Sequence, residues 1–149
     1  MMAITAGRCR VITNNPLIAA EWPGLVEWVC GGAEDVLRCV RDHVHLGHRF
    51  LTHPLAGGAR LNETPYRSVF ITDCPVSAAV DFESLRIIEG SMAVMKGFGA
   101  FRLGRIPSHV DYDYQLIDFA LMESAMESLQ DVALGGGVDG HEAQAMQKS

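Results

Sequence analysis

The sequence predicts one small α/β domain, a mainly parallel sheet of about four strands with covering helices and a long C-terminal helix. Three observations predict it. Short apolar runs of strand length alternate with longer runs of helical period. Clusters of Gly, Pro and Asn separate them. The 149 residues suit one domain with a real core, and no repeat or linker divides them. The domain is expected over residues 1–134, with 135–149 a disordered tail.

The first strand is Arg8–Thr13, "RCRVIT", which alternates in character. It ends at Thr13-Asn14-Asn15-Pro16, because Asn side chains mimic backbone turns and Pro cannot extend a central strand. "PLIAAEW" offers one helical turn with Pro16 at its first position. "LVEWVC" is the second strand, closed by Gly31-Gly32.

"GAEDVLRCVRDHVHLGH" is the clearest helix, with Val36, Leu37, Val40 and Val44 on one face. Glu34 and Asp35 suit the positive end of its dipole, and Arg38 is four residues from both Glu34 and Asp42. Gly47 is placed to close it in a left-handed conformation.

"HRFLT" is the third expected strand and "RSVFIT" the fourth. The loop between them admits an antiparallel return or a short crossover. "DFESLRIIEGSMAVMKGF" reads as a helix weakened by Gly90, and "GFGAFRLGRIPSH" as a connector or short strand. "DYDYQLIDFALMESAMESLQDVAL" is the long helix, its mixed face built from Leu116, Phe119, Ala120, Met122, Met126 and Leu129. Packing on the core is expected of that face, with a homo-oligomer contact as the alternative.

Composition narrows function. Hydrophobic residues make 48% and charged residues 20%, which is ordinary for a folded domain. A net charge of −6 argues against a nucleic-acid binder driven by phosphate contacts. A local anion site built from Arg8, Arg10, Arg60 and Arg67 stays open. No apolar run approaches the roughly 18 residues of a membrane span. "MMAITAGRCR" lacks the pattern of a secretory signal, so a cytoplasmic location is expected. Of the four cysteines, Cys9, Cys30 and Cys39 are expected to be buried reduced thiols. Cys74, in "TDCPV", is the exposed candidate for thiol chemistry, although no base stands near it in sequence.

Two stretches are candidates for binding. Thr13, Asn14, Asn15 and Pro16 place a hydroxyl and two amides at a strand's carboxyl end, where ligands of open α/β sheets collect. A plain turn that ends the strand is the structural alternative. The stretch is similar to the Thr-x-Asn opening of nucleoside-triphosphate pyrophosphatases, but their nearby lysine is missing, since Lys96 is the first lysine of the chain. The second stretch holds His53, Pro54, Asn62, Glu63, Thr64 and Tyr66 around Gly57-Gly58. A long ordered loop of this kind is commonly functional. Its catalytic set is thin, with one His and one Glu, so binding outranks catalysis. No catalytic residue and no cofactor is assigned.

Metal ligation by His43, His45 and His48 is not expected. His43 and His45 are two apart on a helix and do not face each other, while His45 and His48 straddle Gly47. Asp111 to Tyr114, "DYDY", reads as an acidic helix start rather than a metal site.

The order and spacing of "VITNNPLI", "VLRCVRDHVHLGHRFLTHPLAGG" and "LNETPYRSVFIT" resemble the GrdX family, over roughly residues 10 to 72. These are small proteins encoded beside glycine, sarcosine and betaine reductase components in amino-acid-fermenting bacteria. The resemblance implies a cytoplasmic accessory role with reductase-system proteins or a small polar ligand as partner. It carries over no catalytic residue. The alternative is an enzyme acting on a phosphorylated or nucleotide ligand at the TNNP strand end. If the two stretches share one pocket, His53 reaches the Thr13–Pro16 turn, and Asn15→Ala or His53→Ala lowers binding more than folding.

Overall fold

The computed structural model describes residues 9–55, 64–76, 79–98 and 106–135. Within them the elements run β1 (Cys9–Thr13), α1 (Pro16–Glu21), β2 (Val26–Trp28), α2 (Ala33–His45), β3 (Ser68–Thr72), α3 (Phe82–Phe98) and α4 (Ser108–Gly135).

Alternation along the strands sets the layers. Cys9 and Val11 of β1 and Phe70 of β3 join Ile18 of α1 and Met122 and Met126 of α4 in one core cluster. Ile12, Val69 and Ile71 point to the opposite face, where they meet Val36, Leu37, Val40 and Val44 of α2 and Ile88 and Met95 of α3. Helices α1 and α4 therefore cover one face of the sheet, and α2 and α3 the other. Each fully buried Val, Leu or Ile contributes about 1.5–3 kcal/mol through removal from water. Met122 and Met126 are core residues, as expected for the long helix.

The sheet corrects the sequence reading in two ways. It has three strands among the described residues rather than about four, and it is mixed, in the order β2-β1-β3. β1 and β2 are parallel, with Val11 opposite Val26, whereas β3 runs antiparallel to β1, with Val11 opposite Phe70. The expected third strand, His48–Thr52, contracts to one antiparallel bridge between Phe50 and Ile71. Side chains explain the contraction. At one end Nδ1 of His48 bonds the Thr72 carbonyl at 2.7 Å, and at the other the Phe70 N–H donates to Oγ1 of Thr52 at 3.0 Å. These groups take positions that a longer ladder would fill, and Pro54 beyond them has no N–H to offer. The link from Phe50 to Ser68 is thus an antiparallel return, not a crossover.

The helix boundaries follow local chemistry. Asn15 caps α1 by accepting the Leu17 N–H at 2.9 Å, with Pro16 at the first position. Asp35 reaches back to the Gly32 N–H at 2.9 Å at the start of α2. Gly47, at φ 102°, closes α2 as expected. α3 nevertheless runs unbroken through Gly90, where an added Cβ would meet open space. Gly57, Gly58, Arg8, Arg60, most of the 98–110 connector and the 136–149 tail lie outside the described residues.

Candidate functional site

The carboxyl end of β1 is knitted into a polar clamp. Thr13 Oγ1 and Ser68 Oγ of β3 share a hydrogen bond of 2.6 Å, and Ser68 donates to Asp118 Oδ2 of α4 at 2.6 Å. Asn15 donates through Nδ2 to the same Asp118 oxygen and to the Gln115 carbonyl, both at 3.0 Å. Asn14 donates to the Pro65 carbonyl at 2.8 Å and the Gly31 carbonyl at 3.0 Å, and accepts the Arg67 N–H at 2.9 Å. Both amide donors of each Asn are engaged within the protein. The clamp joins four segments: the β1–α1 turn, the β2–α2 loop, the entry to β3, and α4.

Tyr66 extends the clamp outward. Its hydroxyl donates to Asp111 Oδ1 at 2.6 Å, and Gln115 Nε2 bridges Asp111 at 2.8 Å. Burial, helped by the Asp111 carboxylate, pushes the Tyr66 phenol up to about 12. Burial also raises the Asp118 carboxyl above its ordinary range, against the opposing pull of Ser68, Asn15 and the Arg67 charge. Arg67 is itself buried, and desolvation lowers its pKa while Asp118 raises it.

The sequence-predicted residues divide accordingly. Thr13, Asn14 and Asn15 are buried in the clamp, while Pro16 is exposed at the start of α1. Thr64 accepts the Tyr66 N–H at 3.2 Å, and Thr64 and Tyr66 are half-buried beside the clamp. His53 is exposed, and its Nδ1 accepts the Leu55 N–H at 3.0 Å. Among the described residues no hydrogen bond joins His53 to the Thr13–Pro16 turn. Pro54 is buried. Asn62 and Glu63 lie outside the described residues. The structure thus unites the TNNP turn with the Thr64–Arg67 end of the loop and adds Ser68, Asp111, Gln115 and Asp118, which the sequence reading missed. Their signal was present as a polar stripe at Asp111, Gln115 and Asp118, spaced four and three apart on one face of the long helix.

A second polar cluster lies on the other face of the sheet. Glu27 of β2 accepts from Arg10 of β1 at 2.8 Å, from His43 Nε2 at 2.9 Å and from Cys39 Sγ at 3.3 Å. Arg10 also pairs with Asp73 at 3.2 Å. Arg10 and Arg67 therefore serve separate clusters, not one anion site. Burial raises Glu27, but the hydrogen bonds from His43, Arg10 and Cys39 outweigh it and hold the carboxyl below its ordinary range. Burial and Glu27 push the Cys39 thiol up to about 12, so it is no nucleophile as it stands. Ligand atoms of Glu27, Cys39 and His43 all lie within 4.8 Å of one another. The sequence reading weighed three histidines. The i,i+4 pair Cys39–His43 was the readable signal, because such residues share a helix face.

The other thiols are simpler. Cys9 is buried, and burial raises it to about 11. Cys30 was expected to be buried and is exposed, because β2 stops at Trp28 and the chain turns outward before α2. Cys74 is exposed, with no hydrogen bond or ion pair among the described residues. No described helix is long and apolar enough to cross a membrane.

A cavity of about 490 Å³ lies away from the clamp, lined by Arg49, Val76, Val80, Asp81 and Phe82. A family model described as GrdX-like protein matches residues 10–127. The chain belongs to the GrdX-like family. In this GrdX-like protein the match spans both polar clusters and most of α4. No curated protein and no solved structure matches it.

Proposed function

We propose that this GrdX-like protein is a non-enzymatic, cytoplasmic accessory protein of a glycine, sarcosine or betaine reductase system. It acts by presenting the loop between Phe50 and Ser68 to a reductase-system protein or a small polar ligand. Family membership over residues 10–127 supports the system. The carrying observation for the surface is Asn14, which grips the loop's exit at Pro65 and Arg67. That grip fixes the backbone beside Thr64 and Tyr66 while His53 stays exposed at the loop's entry. A fixed exit at Pro65–Arg67 lowers the entropy lost by Thr64 and Tyr66 on docking. Thr13, Asn14, Asn15 and the buried Pro54 support the surface from below; Pro16, His53, Thr64 and Tyr66, with Asn62 and Glu63 by their place in the sequence, are its proposed contact residues.

The alternative is an enzyme acting on a phosphorylated or nucleotide ligand at the TNNP strand end. It has less support, because the amide donors it needs are already spent on Gly31, Pro65, Gln115 and Asp118.

Thermal shift with glycine, sarcosine, betaine, phosphate and nucleotides, alongside calorimetry with purified reductase components, separates the two. A ligand at 100 times its Kd stabilises by about 2.7 kcal/mol. His53→Ala is the clean variant, being exposed. It is expected to weaken docking with no change in Tm. Asn15→Ala is buried and is expected to lower stability as well. Binding of nucleotide alone supports the enzyme. Failure to bind any reductase component or any of the small molecules ends the accessory reading.

A further inference from the structure

We infer that Glu27, Cys39 and His43 form a binding site for a divalent cation of the zinc class. The three side chains offer a carboxylate oxygen, a sulfur and an imidazole nitrogen, the donor set that zinc takes in proteins. They come from two rigid elements. Glu27 stands on β2, and Cys39 and His43 stand one turn apart on α2. Tetrahedral zinc separates its ligand atoms by about 3.3–3.8 Å, given bonds of about 2.0–2.3 Å. Here the sulfur is 3.3 Å and the imidazole nitrogen 2.9 Å from one Glu27 oxygen, so side-chain shifts under about 1 Å open the required gap.

The hydrogen bonds themselves indicate where the ion sits. Cys39 and His43 both aim a proton at Glu27 Oε2. One cation replaces both protons at that point. The thiol proton leaves to solvent, and the imidazole proton moves from Nε2 to Nδ1, which frees both donors for the metal. The other Glu27 oxygen keeps its bond to Arg10, which orients the carboxylate from behind. The Glu27 side chain is 32% exposed and that of His43 15%, so water reaches the fourth position.

Two features oppose the ion. Arg10 repels it, although Asp73 shares the Arg10 charge. Nδ1 of His43 is buried without a hydrogen-bond partner, so its new proton gains no acceptor. The His48 ring packs nearly perpendicular to it at 4.9 Å. The metal–ligand bonds must exceed both costs, which favours a tightly held thiolate-accepting ion over magnesium or calcium.

Cobalt(II) tests this in the full chain, because a cobalt–thiolate bond gives a charge-transfer band in the near ultraviolet. One equivalent of Co²⁺ is expected to produce the band and Zn²⁺ to abolish it by displacement. The double variant Cys30→Ser/Cys74→Ser, which lacks the exposed thiols, is expected to keep it. Cys39→Ser is expected to lose the band and at least about 100-fold in zinc affinity, and His43→Gln to lose affinity by a similar factor. No band in the wild type, its loss in the double variant, or its survival in Cys39→Ser overturns the site. The wild type and the double variant decide the matter even where Cys39→Ser fails to fold.

Discussion

The two polar clusters lie on opposite faces of one small sheet and differ in how their hydrogen bonds are spent. At the carboxyl end of β1, Asn14 and Asn15 use every amide donor on backbone carbonyls or on Asp118. Beneath β2, Glu27 gathers three donors that are all exchangeable: a guanidinium, a thiol and an imidazole. In the first arrangement the two asparagines are buried with their donors saturated, so they hold loops in place. The second is partly exposed, and two of its donors, the thiol and the imidazole, can give up the proton they present to Glu27, so it can change partners. Burial together with saturation, rather than polarity alone, separates a clamp from a reactive cluster.

The largest effect that would break this contrast is at Asn14. Asn14→Ala removes three hydrogen bonds and leaves the Arg67 N–H and the Pro65 and Gly31 carbonyls without that partner. A loss of about 2–4 kcal/mol is expected by urea denaturation. A loss under about 0.5 kcal/mol would show that water replaces the side chain and that the clamp is loose.

Asp118 sharpens the contrast through pH. Burial raises its carboxyl above the ordinary aspartate range, so across that range the folded state binds more protons than the unfolded chain. Its contribution is complete below the unfolded pKa and is lost as pH rises through the folded pKa. Wild type should therefore lose stability relative to Asp118→Asn as pH climbs above the ordinary aspartate range. Parallel Tm curves for the two proteins would show that the carboxyl is unperturbed.

Glu27→Gln should have the smallest effect on stability. Its pair with Arg10 is about one-third exposed and Gln keeps an acceptor for His43, and exposed pairs contribute only about 0–1 kcal/mol. A loss above about 2 kcal/mol would place Glu27 with the clamp rather than apart from it.

Much of the framework was legible because it is local. Helix α2 declared itself through Val36, Leu37, Val40 and Val44, and its end through Gly47. The Asn15–Pro16 start of α1 was readable for the same reason. The direction of β3 was not, since the connecting length permits either return. The pairing stops after the one bridge at Phe50, made by the backbones of Arg49 and Leu51, because His48 and Thr52 divert the ladder through side chains that no periodicity registers. Asp111 reads only as part of an acidic helix start, and Gln115 and Asp118 carry no local signal of their partners, which lie far away in sequence. Thr13, Asn14 and Asn15 were readable as a cluster. That α4 covers them was not, because nothing local to the helix points to that strand end.

Asn15 also sets an order of events in making the protein. Its partners on α4 lie 100 and 103 residues further along the chain. On the ribosome, Asn15 emerges long before the helix that answers its amide. The β1–α1–β2 unit can assemble early from near neighbours, but its strand end stays wet until α4 has been made. Contacts of such long range slow folding, since their closure entropy is lost before they form. The nascent chain therefore carries an unsealed seam that α4 closes.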